Sequence, residues 1–130
     1  MVFLTVEVVE AIQSALIDRY GGSHGLRDRG LLESAVNRAE NRVTYDPNST
    51  VPEVAASLAW GLIKNHAFID GNKRVGLAAM VAFLYSNRFT LTCSETEETA
   101  MVLRAAASEI TEVEWMLWVM QAASPISLVQ

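Results

Sequence analysis

The sequence predicts an all-α fold, a single domain over residues 1–130 with about six helices around a buried central helix at 72–87. Three observations carry this. Apolar residues return at helical spacing in one segment after another. Three capping boxes, each a hydroxyl residue followed three places later by glutamate, mark helix starts at Thr50, Ser94 and Thr111. The run GLAAMVAFL is apolar on almost every face, which is the pattern of a buried helix.

The elements follow in order. At 5–20, Val6, Val9, Ile12, Ala15 and Leu16 recur between Glu7, Glu10 and Gln13, and Gly21-Gly22 stops the helix. Asp28 caps a second helix through Leu31, Leu32, Ala35 and Val36 to near Arg42. Val43-Thr44-Tyr45 carries extended propensity, and Asp46-Pro47-Asn48 is a turn signal. Thr50 with Glu53 opens a helix to near Asn65, with Pro52 in its first turn. The helix at 72–87 follows, and HAFIDG connects the two as a helical hairpin. Small residues Gly76, Ala78, Ala79 and Ala82 let neighbouring helices come close. Ser94 with Glu97 starts a helix through Met101 and Ala105, and Thr111 with Glu114 one through Trp115 and Trp118 to near Ala123. Trp60, Trp115 and Trp118 are spaced for core packing, though an exposed member of the last pair could serve a partner, and His24, in a glycine-flanked loop, reads as structural or as a neighbour supporting the site from behind.

Composition excludes several classes. An apolar share of 51% rules out a disordered tail protein and leaves apolar surface for a partner. The net charge of −5, without a basic stripe, argues against direct DNA binding but allows a local anion site. The lone Cys93 and the absence of a basic-then-apolar start predict a cytoplasmic protein without a leader. No stretch reaches ~18 uncharged apolar residues, so no membrane span is expected.

The chemistry concentrates in HAFIDGNKR, residues 66–74. Lys73 and Arg74 fall in the first turn of a helix, where the backbone dipole already presents positive charge. An anion held by free N–H groups and both cations resolves that conflict, so the sequence predicts a phosphate or carboxylate site. Gly71 allows close backbone approach, and Asp70 beside a polyanion suggests an intervening Mg²⁺. His66 is a candidate general base. Each residue also has a plainer reading. His66 can be a helix C-cap, Asp70 or Asn72 an N-cap, and the two cations a solvated face. Their combination between two buried helices favours nucleotide-dependent group transfer.

The motif resembles the signature of the Fic/Doc family, and most nearly its Doc (death-on-curing) toxin branch, of the form H-x-F-x-D-x-N-K-R. His66, Phe68, Asp70, Asn72, Lys73 and Arg74 match it. The segment YGGSHGLRDRGLLESAV, 20–36, is similar to the start of Doc-type chains. Fic enzymes carry H-P-F-x-[DE]-G-N-G-R-x-x-R, from which Ala67, Lys73 and Leu77 depart. Doc chains tolerate the change at Ala67; in Fic enzymes the positions of Lys73 and Leu77 help orient ATP for AMP transfer. The resemblance to Doc implies the reversed pose, with the γ-phosphate passing to a threonine of EF-Tu and growth arrest as the result.

The resemblance further implies His66 as the base and Asp70 as the Mg²⁺ ligand or an aid to placing the target. It implies Gly71, Asn72, Lys73 and Arg74 as the residues that hold the phosphates of ATP. A short extended flap at 42–48 would align the target chain. Restraint would come from an antitoxin whose disordered C-terminal segment folds as a helix into a groove. The self-inhibitory pattern [ST]-x-x-x-E-[GN] has no match here, because Glu40-Asn41 is preceded by Val36 at the hydroxyl position. The competing readings are a Fic-type AMP transferase, a non-catalytic helical binding module and, more weakly, a ribonuclease.

Overall fold

The computed structural model describes residues 1–127. Among them the chain forms six helices: α1 (Val6–Tyr20), α2 (Arg29–Tyr45), α3 (Val51–Asn65), α4 (Asn72–Ser86), α5 (Glu95–Ala106) and α6 (Glu112–Ala122). The fold is all-α, with one two-stranded antiparallel ribbon of β1 (Phe89–Leu91) and β2 (Ala123–Pro125). The ribbon's strands are three residues each and far apart in sequence, too short to leave a period-2 signal.

The caps act where the sequence places them. Asp28 accepts the N–H of Leu31, and Thr50 and Thr111 each close a full capping box with Glu53 and Glu114. Ser94 accepts the N–H of Glu97, but the Glu97 carboxylate does not return the bond. It receives the indole N–H of Trp118 instead, tying α5 to α6 at 2.9 Å. Gly21 ends α1 at φ 87°.

The centre belongs to α3 and α4 together, and α3 is the more enclosed. Ten of its residues are buried, and it packs against α2, α4, α5 and α6. The Trp115 ring is wholly buried and donates its N–H to the Ala56 carbonyl at 3.0 Å. Helix α4 is buried on one face and not all round. Val75, Gly76, Ala79, Met80, Phe83 and Leu84 face inward, while Val81 and Tyr85 are exposed. An apolar run shows a demand for burial without its direction, and α4's small residues meet that demand on one side. At Gly76 a side chain would lie 2.6 Å from Ile63 Cγ1, so this glycine sets the α3–α4 approach.

The short extended flap expected at 42–48 is not formed. Val43, Thr44 and Tyr45 complete α2, and the N–H of Asp46 bonds the Arg42 carbonyl at 2.8 Å. The β-branched pair favours a strand only weakly, and α2 packs along α3, where Arg42 meets Glu53 at 3.2 Å. Packing overrides propensity there, and the chain leaves the helix only at the predicted Asp46 turn.

Candidate functional site: the α3–α4 connection

The connection from α3 to α4 is residues 66–71, and its shape begins with His66. This residue ends α3 in the left-handed region, φ 52° and ψ 47°, where histidine is one of the better-tolerated side chains. Beyond it the backbone is pinned by the segment between α1 and α2. The N–H groups of Arg27 and Asp28 both bond the Ala67 carbonyl, at 2.8 and 3.0 Å. The Ile69 N–H bonds the Gly25 carbonyl at 3.1 Å. The Arg27 side chain donates to the carbonyls of His66 at 2.8 Å and Asn65 at 3.4 Å. Ala67 and Phe68 are buried, so the loop is anchored in the core while His66 stays exposed.

Asp70 and Asn72 shape the turn from within. One Asp70 carboxylate oxygen accepts the Gly71 N–H at 2.8 Å, and the other accepts the Ser23 N–H at 3.1 Å. The Asn72 amide bonds both backbone groups of Phe68, its oxygen accepting and its nitrogen donating, each at 3.0 Å. Gln13, a buried amide of α1, donates to the carbonyls of Asp70 at 3.2 Å and Ser23 at 3.4 Å. Gly22 leaves room for the carboxylate, since a side chain there would lie 2.5 Å from Asp70 Oδ2. The Asn72 side chain is therefore spent on the loop, and what it offers a ligand is its backbone N–H. Each Asp70 oxygen keeps a lone pair after its single N–H bond. That suits Mg²⁺, which takes one or two carboxylates and completes its shell with phosphate and water. No cluster of three or more metal-ligating side chains exists among the described residues.

Helix α4 starts differently from the others. The other five described helices begin under a side-chain oxygen, from Thr5, Asp28, Thr50, Ser94 and Thr111. Helix α4 begins at Gly71, φ 79°, with no side-chain cap and no acid in its first turn. Among the described residues the N–H groups of Asn72, Lys73 and Arg74 have no protein acceptor. The Lys73 ammonium is exposed, and the Arg74 guanidinium lies 5.0 Å from the centre of the Tyr20 ring.

All six residues singled out in the sequence, His66, Asp70, Gly71, Asn72, Lys73 and Arg74, line one open cavity of about 970 Å³. That is the size of a small-molecule site. Leu77 continues the α4 wall. The facing wall comes from α5 and the turn after it, through Thr99, Val102, Leu103, Arg104, Ala106, Ala107 and Glu109. Sequence reasoning missed this wall. Its one available signal was Arg104, a lone cation in a helix that opens on Glu95, Glu97 and Glu98. His24 does not line the cavity and bonds Asp18 at 2.8 Å.

The family model described as the Fic/DOC family matches residues 3–84. The protein kinase doc of Escherichia phage P1 is 32% identical over 108 residues, covering 83% of this chain and 85% of that protein. The toxin Doc of Mycolicibacterium smegmatis is 42% identical over 69 residues, 52% of this chain and 53% of that one. The family match spans α1 to α3 and nearly all of α4, the same elements that build and brace the connection, and by it this chain belongs to the Fic/Doc family.

Proposed function

We propose that this chain is the toxin of a toxin–antitoxin pair and a protein kinase that moves the γ-phosphate of ATP to a threonine hydroxyl of EF-Tu, arresting translation. The observation that carries the reading is the start of α4, where three free N–H groups and two cations open onto a nucleotide-sized cavity beside an exposed histidine. The relatives named as a protein kinase and a toxin support it.

In this reading the N–H groups of Asn72, Lys73 and Arg74 and the side chains of Lys73 and Arg74 hold the phosphate oxygens. Asp70 holds Mg²⁺, which when bound neutralises charge on the phosphates. The imidazole of His66 accepts the proton of the incoming threonine hydroxyl. The threonine oxygen–phosphorus bond forms as the bond from the γ-phosphorus to the bridging oxygen breaks, and ADP leaves with that electron pair. Catalysis here is positioning and charge stabilisation, which needs a rigid loop. The bracing of 66–71 by Arg27, Gln13 and Asn72 supports that demand. The apolar part of the cavity wall, through Leu77, Val102 and Leu103, suits an antitoxin's helical segment.

The test is EF-Tu incubated with ATP labelled at either the α or the γ phosphorus. Transfer of the γ label, with a gain of about 80 Da by intact mass, is expected. Transfer of the α label with an AMP-sized gain would replace the kinase reading by AMP transfer. Label on neither, with tight binding of a coexpressed neighbour, would leave a binding module.

A further inference from the structure

The cations at the start of α4 stand on one wall, and that wall runs out of charge after a single turn. Leu77, the next α4 residue to line the cavity, is apolar. A triphosphate carries more charge than two side chains and a helix start on one side can surround. The far wall supplies a third cation. Arg104 lies in the last turn of α5 and lines the same cavity as Lys73 and Arg74. It is the one basic residue of α5.

Its resting contacts are weak. Glu109 approaches the guanidinium at 4.0 Å, the outer limit of an ion pair, the Met101 sulfur lies 3.9 Å away, and the exposed Glu114 carboxylate adds a longer-range attraction. Both partners of the pair with Glu109 are about half exposed. An exposed, loosely held pair contributes little to stability, so Arg104 is free to exchange Glu109 for a better anion. Two oxygens of a phosphate can accept both prongs of the planar guanidinium at hydrogen-bond distance, which the Glu109 carboxylate at 4.0 Å does not. The turn that carries Glu109 is itself fixed, because Lys64 bonds the Ala105 carbonyl at 3.0 Å and the Ser108 hydroxyl at 2.6 Å. The carboxylate is therefore held near Arg104 by the backbone and not by the strength of the pair.

We infer that Arg104 is a nucleotide-binding residue that closes on the phosphates of ATP from the wall opposite Lys73 and Arg74, with Glu109 as its resting counter-ion. The inference rests on the phosphate-site reading of the α4 start. It adds a contact from a different helix, so that nucleotide affinity depends on the α4–α5 spacing.

Calorimetric titration with MgATP tests it. Arg104→Ala weakens MgATP binding about tenfold, the size of one charge-assisted hydrogen bond at an open site. Arg104→Lys recovers part of that loss, because it restores charge without the fork. Glu109→Gln tightens binding in the parent and has a smaller effect in the Arg104→Ala background. That coupling is one a merely structural role for Arg104 would not produce. If Arg104→Ala binds MgATP as the parent does while Arg74→Ala loses it, this inference is overturned and the phosphate site stands. If the parent itself binds no MgATP, both are overturned together.

Discussion

Helices α3 and α4 are equally long, adjacent and packed on each other, yet they begin in opposite ways. The start of α3 satisfies itself. Thr50 accepts the Glu53 N–H, the Glu53 carboxylate accepts the Thr50 N–H at 3.1 Å, and Arg42 adds an ion pair at 3.2 Å. Those bonds hold the Glu53 carboxyl below its ordinary value, the Thr50 N–H contributing most. The start of α4 has no side-chain cap, no acid in its first turn and two cations. The first arrangement favours the folded chain by itself, and the second leaves backbone donors that an added anion can satisfy. In the proposed function, stability and ligand chemistry are divided between two neighbouring helix starts, and the loop before α4 is braced from a third place, the segment between α1 and α2.

The largest expected effect removes the reaction while sparing both helix starts. His66→Asn keeps a side chain that tolerates the left-handed backbone but cannot serve as the base. It should lower phosphate transfer about 10²–10⁴-fold with an unchanged circular dichroism spectrum and melting temperature. A variant that is folded and as active as the parent would show that the exposed histidine is only a helix cap.

Next, the contrast itself can be inverted. Lys73→Glu gives α4 the acid in its first turn that α3 already has. It should stabilise the ligand-free protein by about 0.3–1 kcal/mol, because the charge now suits the helix dipole. The same change should weaken MgATP binding more than about tenfold and abolish the rise in melting temperature expected of the parent with MgATP. Differential scanning calorimetry with and without MgATP reads both. If the substitution destabilises the free protein, the α4 start is not in conflict with its own cations.

The smallest effect lies at α3. Thr50→Ala should cost about 1 kcal/mol of stability in urea unfolding and leave MgATP affinity unchanged. The sign of the pH dependence follows from Glu53, whose folded-state value is lowered. Its contribution is fully present above the unfolded-state value and is lost as pH falls through the folded one. Glu53→Gln should therefore flatten that part of the acid limb. A parent and variant with parallel acid limbs would place the lowered carboxyl elsewhere.

Much of this molecule is legible from local chemistry. Asp28, Thr50, Ser94 and Thr111 announce helix starts because a cap acts within three residues of itself. Gly21 and the HAFIDG connection end helices by the same short-range logic. The six candidate residues converge because they lie within one nine-residue segment, and the misplaced charge of Lys73 and Arg74 is legible from their place in a helix's first turn alone. The tertiary structure decided the rest. It extended α2 through Val43–Tyr45 by laying it on α3, and it turned Val81 and Tyr85 outward from α4. It committed the Asn72 amide to Phe68 and brought Arg104 and Glu109 across the cavity from thirty positions away along the chain, roughly, as helix packing permits. Caps, turns and charge–dipole conflicts are forces of a few ångströms along one backbone, so sequence order contains them. Which face a helix buries, and which distant side chain it meets, depends on how six helices share one core, and that is written in no single segment.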